Sequence, residues 1–314
     1  MDRRADLGLA TVEVRVAAST SNLGPGFDVL GLALSLYLRA RCLGTSAGPS
    51  DELAVEGPAA AEWPAGPGNL FLEAFHAAAG GAGAKRLSVE TEIPVARGLG
   101  SSGAAVAAGL LLGAAVAGDT RPRSAWLARG IEIEGHPDNV AASLYGGLTL
   151  CLPGMPPRLV CRDVHPRLAF AVAWPATRLE TARARSVLPK SVPFGDAVEN
   201  ARRLPLLLHG LASADEDLVR AGGEDRLHVP YRLELIPGAR EALASARDAG
   251  AWLATISGSG SGLVAVAPIE RAADCAAALA AGLARASASA PGAVASRVLR
   301  PALGAPLALP SGTA

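Results

Sequence analysis

The sequence predicts an α+β protein of two domains, with helices packed on mixed or antiparallel sheets. Its 314 residues are 50% hydrophobic, which is enough for two cores at about 100 to 200 residues per domain. Segments with strand and helix periodicity alternate along the chain, and some strands have one apolar and one polar face. The pattern changes near residue 165, so we expect domains at 1–165 and 166–314.

The first domain begins with two predicted strands joined by a loop. VEVRV at 12–16 alternates in character, and LALSLYLRARC at 32–42 places its leucines on one face. The loop STSNLGPGFD at 19–28 lies between them, and its Gly-Pro-Gly sequence favours a turn.

A helix and a third strand follow in the first domain. NLFLEAFHAAA at 69–79 is predicted as a helix that Asn69 caps and two glycines end. LSVETEIPV at 87–95 is the next predicted strand. The remaining elements are a long helix entered through a glycine-serine turn, a helix at about 123–134, the loop GHPDN at 135–139 and a strand-like segment at 144–152.

The second domain repeats the alternation with different elements. LAFAVAWP at 168–175 is predicted as a buried strand, and 252–267 as two short strands around a glycine-serine turn. Helices are predicted at 196–213, 239–249 and 270–287.

The uncharged segment 98–118 is the one part of the chain that resembles a membrane span. It contains a GxxxG spacing from Gly109 to Gly113, which packs helices closely in lipid. Its bulky apolar part is short, and no aromatic belt or basic flank adjoins it. We therefore expect a buried helix in which the two glycines let a neighbour approach, with a membrane span as the alternative.

Charge and cysteine content argue against several classes of partner. The 29 Lys and Arg balance 29 Asp and Glu, so no net positive field attracts nucleic acid or an anionic membrane. The first ten residues are charged with no apolar segment behind them, so no secretory signal is expected. Four cysteines without a CxxC pair or metal-ligand spacing suit buried or incidental thiols in a reducing cytoplasm. They are Cys42, Cys151, Cys161 and Cys275.

The turn RGLGSSGAAV at 97–106 joins a strand to the long helix. Free backbone N–H groups and the positive end of the helix dipole can hold phosphate oxygens there. Gly98 and Gly100 let the backbone approach an anion, and Ser101 and Ser102 add hydroxyls. No lysine follows the last glycine, so the turn is not the Walker pattern. An ordinary strand-to-helix turn capped by serine is the alternative.

A carboxylate close to the phosphate would complete a magnesium site. Glu132 and Glu134 end the helix before GHPDN, and Mg²⁺ is usually held by one or two acidic groups together with the phosphates. The same loop places His136 and Asn139 three residues apart. The alternative is that Glu132 and Glu134 are solvated side chains at a helix end with no role in metal binding.

Three further charged residues are candidates for a substrate site. Asp28 follows the Gly-Pro-Gly loop and either caps a helix or orients a substrate hydroxyl. Arg185 and Arg232 lie in segments predicted to be irregular, where they are surface charges or a fork for a carboxylate. ISGSGSGL at 256–263 is a second glycine-serine turn.

Taken in order, these motifs resemble the homoserine kinase family of the galactokinase, homoserine kinase, mevalonate kinase and phosphomevalonate kinase superfamily. They are SNLGPGFD, VLGLAL, RGLGSSGAAVAAGL, EIEGHPDNVAASLYGGL, ARSVLP, HVPYRLELIPG and SGSGSG, within about residues 12–267. The resemblance implies an N-terminal ribosomal-protein-S5-like domain with a left-handed βαβ unit, a C-terminal ferredoxin-like domain and an active site between them.

The resemblance also implies an activity and its residues. The activity is ATP-dependent phosphorylation of the side-chain hydroxyl of L-homoserine for threonine biosynthesis, with Mg²⁺, in a cytoplasmic enzyme that is commonly a homodimer. The implied ATP-binding residues are Asn69, Arg97, Gly98, Leu99, Gly100, Ser101, Ser102 and Gly103. The implied homoserine-binding residues are Asn22, Asp28, His136, Asn139, Arg185 and Arg232. The implied metal ligands are Ser102 and Glu132, with Glu134 as the less favoured register, and the implied catalytic residues are Asp28, Glu132 and Thr181.

Three segments depart from the family pattern. SGSGSG at 257–262 stands where the family usually has SGAGPT, NVAA replaces NVAP, and ETAR at 180–183 replaces STKE. The last turn therefore lacks the proline and the threonine that the family has there. None of these changes removes a residue that was given a chemical role.

The chemistry implied for the site depends on geometry more than on a strong base. A loose phosphoryl-transfer transition state needs positioning and charge neutralisation. We expect Asp28 to align the substrate hydroxyl with the γ-phosphate, either as a base or only by positioning it. Another kinase of the superfamily, acting on mevalonate, a sugar or a different hydroxy-amino acid, and a non-catalytic nucleotide or metabolite sensor are the alternatives.

Overall fold

A computed structural model describes residues 12–64, 66, 68–286 and 294–304 of the chain. The charged N-terminus, for which no secretory signal is expected, lies outside the described residues. Within them the chain forms two sheets with helices on their faces, which confirms the predicted α+β class.

The first sheet has six strands and is mixed. Its order is β3-β4-β2-β5-β6, with β1 paired to β2, and β3 runs parallel to β4 while the other pairs are antiparallel. The strands are β1 Val12–Asn22, β2 Gly26–Thr45, β3 Glu52–Glu56, β4 Lys85–Thr91, β5 Leu148–Leu152 and β6 Arg158–Arg162. The helices in this part are α1 Leu70–Ala79, α2 Ser101–Ala117, α3 Arg123–Glu134 and α4 Asp138–Tyr145.

The second sheet has four antiparallel strands in the order β10-β7-β9-β8. These are β7 Leu168–Pro175, β8 Leu253–Ile256, β9 Leu263–Pro268 and β10 Val294–Leu299. The helices are α5 Thr181–Ser186, α6 Phe194–Ser213, α7 Glu216–Gly222, α8 Val229–Arg232, α9 Ala239–Asp248 and α10 Ile269–Ala286. After β10 the chain returns to the first sheet, where Pro301 bridges Leu34.

Helix α2 lies in the main hydrophobic core, and twelve of its 17 residues are buried. Its two spaced glycines serve close packing against α1. A Cβ on Gly109 would lie 2.3 Å from the carbonyl oxygen of Phe71, and one on Gly113 would lie 2.3 Å from that of Phe75. The prediction that these glycines admit a neighbouring element is confirmed. Among the described residues no helix combines the length and apolar character that crossing a membrane requires.

Local sequence signals predicted the ends of several helices and strands correctly. The Asn69 side chain accepts hydrogen bonds from the first turn of α1, and Gly80 ends that helix in the left-handed conformation, as the sequence predicts. The strand LAFAVAWP and the helix at 123–134 have the predicted bounds.

Two predicted strands differ from the structure. The segment predicted over 87–95 leaves the sheet after Thr91, whose hydroxyl accepts the N–H of Ile93 in a local turn, and Pro94 follows. The strand-like segment at 144–152 begins only at Leu148, because α4 continues to Tyr145. Helix α4 was missed, since GHPDN has the composition of a loop although Asp138 already begins the helix.

Candidate active site

A cleft of about 300 Å³ lies where the two sheets meet. Its walls come from the polar end of β1, the turn before α2, the start of α4, the short helices α5 and α8, and the turn between β8 and β9. Segments far apart in the chain therefore converge on one site. The lining includes, among others, Asn22, Asp28, Asn69, Gly98, Gly100, Ser101, Ser102, His136, Asn139, Thr181, Arg185 and Arg232.

The turn before α2 presents free helical N–H groups to the cleft. Gly100 is the N-cap with φ +69°, and as a glycine it offers no side-chain hydrogen bond to the first turn. Ser101 and Ser102 line the cleft at this end. The positive helix end and its unbonded donors form a site suited to phosphate oxygens.

Close packing explains the glycines of this turn. A Cβ on Gly98 would lie 2.0 Å from the carbonyl oxygen of Ser257, and one on Gly100 would lie 2.0 Å from Ser19 Oγ. A Cβ on Gly103 would lie 2.7 Å from the Cβ of Asn139. Gly103 is thus needed to seat α2 against α4, rather than for approach to a ligand.

Two residues assigned to ATP by their place in the motif point elsewhere. Arg97 is buried, and its guanidinium forms an ion pair with Glu62 and donates to the carbonyl oxygens of Val95 and Ala176. Leu99 is 1% exposed and belongs to the main hydrophobic core, which includes residues of both sheets. The Arg97 guanidinium therefore holds the turn in place from behind, and the expectation that it binds ATP is corrected. The Leu99 side chain also packs behind the turn, so a contact of Leu99 with ATP stays a prediction for its backbone.

The carboxylate beside the turn belongs to Glu134. Ser102 Oγ donates to Glu134 Oε1 at 2.6 Å, and Glu134 Oε2 is buried with no hydrogen-bond partner among the described residues. Burial raises the pKa of this carboxyl, against the hydrogen bond from Ser102 and the charge of His136, which lower it.

Glu132 does not reach the cleft. Its carboxylate accepts from Arg129 Nη1 at 2.8 Å on the outer face of α3, and its side chain is 48% exposed. The preferred assignment of Glu132 as metal ligand and catalytic residue is therefore corrected in favour of the second register. Residues two apart on a helix face different directions, and the sequence alone did not indicate which of them faces α2.

The loop GHPDN places three polar side chains against the cleft. His136 Nδ1 lies 3.5 Å from Asp138 Oδ1 and 3.9 Å from Glu134 Oε1. The nearby carboxylate of Asp138 and the charge of Glu134 raise the pKa of His136, against burial, which lowers it. Asn139 lies near the end of β1, where its Oδ1 accepts from Ser19 Oγ at 2.9 Å.

Asp28 and Arg185 face each other across the cleft. Arg185 Nη1 and Nη2 donate to the two carboxylate oxygens of Asp28 at 2.9 and 2.7 Å, a bidentate pair. Both side chains are about one-third exposed. The hydrogen bond to Asp28 raises the pKa of Arg185. Asn22 supports the pair, because its Oδ1 accepts the backbone N–H of Asp28 at 3.0 Å.

Arg232 is a buried cation with neutral partners. It is 1% exposed, and it contacts the carbonyl oxygens of Ala184 and Gly258 and the ring nitrogen Nδ1 of His228 at 3.1 to 3.3 Å. Burial and the charge of Arg185 lower its pKa to about 10. Nη2 makes no hydrogen bond within the described part of the chain. Because Arg232 lines the cleft, it is suited to receive an anionic ligand there.

Thr181 and Asn69 lie at two other points of the wall. Thr181 begins α5, and its hydroxyl lies 3.4 Å from Ser259 Oγ. Asn69 uses both ends of its amide within the protein, since Oδ1 caps α1 and Nδ2 donates to the carbonyl oxygen of Pro64. Asn69 therefore shapes the wall between Pro64 and α1.

Sequence reasoning missed most of the polar end of β1. Ser19, Thr20 and Ser21 are buried and join both glycine-serine turns to α4. The signal was present in the sequence, because four consecutive polar residues follow an apolar strand. His228 was also missed, although it stands four residues before Arg232, the spacing of neighbours on a helix.

Comparison with known proteins agrees with this geometry. The family model described as "GHMP kinases N terminal domain" matches residues 69–147, and "GHMP kinases C terminal" matches residues 206–285. A homoserine kinase of Synechococcus sp. (strain CC9311) is 43% identical over 83% of this chain and 85% of that protein. One from Prochlorococcus marinus (strain MIT 9303) is 41% identical over 83% and 84%.

Solved structures extend the likeness to the whole fold. The homoserine kinase from Cytophaga hutchinsonii has a TM-score of 0.82 at 25% identity, covering 97% of this chain and 99% of that one. The L. major mevalonate kinase has a TM-score of 0.63 at 15% identity, covering 94% and 96%, which shows a shared fold. From its motifs, its two-domain fold and these relatives, the chain belongs to the homoserine kinase family of the GHMP kinases.

Proposed function

We propose that this enzyme transfers the γ-phosphoryl group of ATP to the side-chain hydroxyl of L-homoserine, giving O-phospho-L-homoserine for threonine biosynthesis. The observation that carries the proposal is Arg232, a buried guanidinium with neutral partners that opens on the same cleft as the turn before α2. The names of the relatives support the same substrate.

The substrate end of the cleft fits an amino acid with a hydroxyl side chain. Arg232 offers a charged donor edge for the α-carboxylate. Asp28, held by Arg185 and Asn22, offers a carboxylate oxygen to the side-chain hydroxyl. His136 and Asn139 line the same cleft, and we propose that they contact the polar atoms of homoserine.

The nucleotide end of the cleft fits a polyphosphate. The first turn of α2 would receive the β- and γ-phosphates on the N–H groups near Ser101 and Ser102. Asn69 and α1 form the wall assigned to adenine. Thr181 lines the same cleft, and we propose that it contacts the phosphoryl group in transfer.

The residues at the phosphate end fit Mg²⁺. Ser102 Oγ and the buried, unpartnered Oε2 of Glu134 are hard oxygen donors, which Mg²⁺ prefers. Ser102 and Glu134 would hold the ion, which, when bound, would neutralise phosphate charge.

Asp28 positions the attacking oxygen. Its bidentate pair with Arg185 fixes the direction of the carboxylate, so Asp28 can accept a hydrogen bond from the substrate hydroxyl. A loose transition state does not require full proton removal beforehand. We expect Asp28→Asn to separate base catalysis from positioning, since an amide oxygen still accepts a hydrogen bond but takes no proton.

The substrate is tested by ADP release in a coupled assay with Mg-ATP. L-homoserine is compared with L-serine, L-threonine, mevalonate and galactose. Turnover with L-homoserine alone supports the proposal. Turnover with another alcohol would overturn the substrate while keeping the kinase reaction, and tight nucleotide binding without turnover would favour a sensor.

The carboxylate assignment is tested by a matched pair of variants. Glu134→Gln should lower kcat by about 100-fold or more, since it removes a negative ligand from the phosphate end. Glu132→Gln, two residues away on an exposed surface, should leave kcat within about twofold of wild type. If Glu132→Gln lowered kcat and Glu134→Gln did not, Glu132 would be the metal ligand instead of Glu134.

Two broader properties complete the proposal. We propose that the enzyme acts in the cytoplasm, with no nucleic-acid or membrane partner, and that it forms a homodimer as members of the family commonly do. Light scattering of the purified chain tests the dimer, since a mass of one 31.6 kDa chain would contradict it.

A further inference from the structure

His228 is a fully buried imidazole behind the substrate wall of the cleft. It stacks on Phe27 with ring centroids 5.0 Å apart, and the guanidinium of Arg232 lies 4.9 Å from the same ring. Its Nε2 lies 2.9 Å from the carbonyl oxygen of Gly24, and its Nδ1 lies 3.3 Å from Arg232 Nη1. The imidazole thus joins Arg232 to the loop that precedes Asp28.

The partners of His228 fix its tautomer. Arg232 can only donate, so Nδ1 must accept, and the ring proton must sit on Nε2, where it donates to the Gly24 carbonyl. Protonation would place an N–H of the ring against an N–H of Arg232. Burial and the charge of Arg232 lower the pKa of His228, against the attraction of Asp225.

Asp225 holds the backbone from which His228 projects. Its Oδ2 accepts the N–H groups of Leu227, His228 and Val229 at 2.7 to 3.1 Å, and its Oδ1 accepts from Asn200 Nδ2 at 2.7 Å. The Asp225 carboxylate already accepts four hydrogen bonds, and its Oδ2 lies 3.8 Å from His228 Nε2. His228 Nε2 therefore donates to the carbonyl oxygen of Gly24, which is closer, rather than to Asp225.

We propose that His228 is a positioning residue for homoserine, which acts by aiming Arg232. By accepting one N–H of Nη1, the neutral imidazole prevents the guanidinium from turning, so that Nη2 stays directed to the cleft. The inference rests on the proposed substrate, but it assigns a role to a residue that does not line the cleft.

Two variants separate the two ring nitrogens. The Asn side chain places an amide oxygen near the position of Nδ1, so His228→Asn keeps the acceptor for Arg232 and loses the Gly24 bond. The Gln side chain reaches the position of Nε2, so His228→Gln keeps the donor to Gly24 and loses the acceptor.

The expected readout is a split between the two substrates. His228→Gln should raise the KM for L-homoserine about tenfold or more and leave the KM for ATP within about twofold. His228→Asn should stay within about threefold of wild type for both. A merely structural role would affect both substrates equally, or would make His228→Asn as poor as His228→Gln, and either result would overturn the inference.

Wild-type protein provides a test that does not depend on the folding of a variant. Long-range ¹H–¹⁵N spectra should show the histidine that contacts Phe27 in the Nε2–H form from pH 6 to 8; an Nδ1–H or charged ring would overturn the inference. Wild-type turnover of L-homoserine is measured first in the same assay. Its absence would defeat the proposed substrate, whereas its presence with the wrong variant pattern would defeat only the role of His228.

Discussion

The two glycine-serine turns of this chain look alike in sequence but differ in what they join. GLGSSG at 98–103 leads into a 17-residue helix and points backbone donors into the cleft. SGSGSG at 257–262 connects two short antiparallel strands, so it has no helix end to offer. The element that follows a turn, more than its glycines and serines, decides whether it can hold phosphate.

The second turn supports the first. Ser257 Oγ lies 2.6 Å from the carbonyl oxygen of Gly98 and 2.9 Å from Thr20 Oγ1, and the N–H of Gly262 donates to the carbonyl oxygen of Arg97. The two turns therefore form one packed unit in which one contacts ligand and the other fixes its backbone. Substitutions in the two turns should separate these roles.

The largest effect is expected at Gly98. Gly98→Ala places a Cβ 2.0 Å from the Ser257 carbonyl at φ +70°, so both strain and a backbone clash result. We expect the free energy of unfolding to fall by about 3 kcal/mol and activity to be lost with it. Urea unfolding and the coupled assay measure both.

Gly258→Ala is the matched control for Gly98→Ala. Gly258 also has a left-handed φ of +56°, but its nearest contact, the Gly98 carbonyl oxygen, would be 3.0 Å away. We expect a loss of about 1 kcal/mol, the cost of the left-handed conformation alone. Equal losses would show that contact between the turns contributes nothing.

The next largest effect is expected on kcat, from the loss of a hydroxyl that faces the ligand. Ser102→Ala should lower kcat by about 100-fold, since it removes a donor at the phosphate end. Its unfolding free energy should fall by about 1 to 2 kcal/mol, because the buried carboxylate of Glu134 loses the hydrogen bond from Ser102. An unchanged kcat would remove Ser102 from the site.

The hydroxyl of Ser257 faces the protein, so its removal should affect stability more than kcat. Ser257→Ala leaves the Gly98 carbonyl oxygen without its side-chain donor in a buried position, which should cost about 2 kcal/mol of unfolding free energy. Its kcat should fall less than that of Ser102→Ala. A larger fall in kcat without loss of stability would mean that Ser257 contacts substrate directly.

The sequence predicted the elements of this site better than the direction of its side chains. Asn69 capped its helix as expected because capping is a local signal, and GLGSSG opened a helix because the following residues are strong helix formers. Arg97 and Glu132 were misassigned because motif position does not give orientation. Arg97 turns toward Glu62, 35 residues earlier, and only the fold brings those two together.

The chain also contains long-range hydrogen bonds that no local sequence pattern predicts. His228 bonds to Gly24 across 204 residues, and Asn22 bonds to Gly258 across 236. Periodicity reports which face of an element is buried, whereas these polar contacts depend on how the two sheets meet. They were therefore beyond prediction from a single sequence, although the run Ser-Thr-Ser-Asn at 19–22 marked the place where they form.

The smallest effect is expected at Ser259, which lines the cleft from the second turn. Its hydroxyl has one side-chain neighbour within the described residues, Thr181 Oγ1 at 3.4 Å, near the limit of a hydrogen bond. We expect Ser259→Ala to change the unfolding free energy by less than about 0.5 kcal/mol and kcat by less than about threefold. If kcat fell as far as in Ser102→Ala, the second turn would itself bind phosphate. The conclusion that only the first turn contacts ligand would then be wrong. Steady-state kinetics of both variants at saturating ATP decide the matter, because a phosphate contact made in the transition state lowers kcat even when substrate is bound.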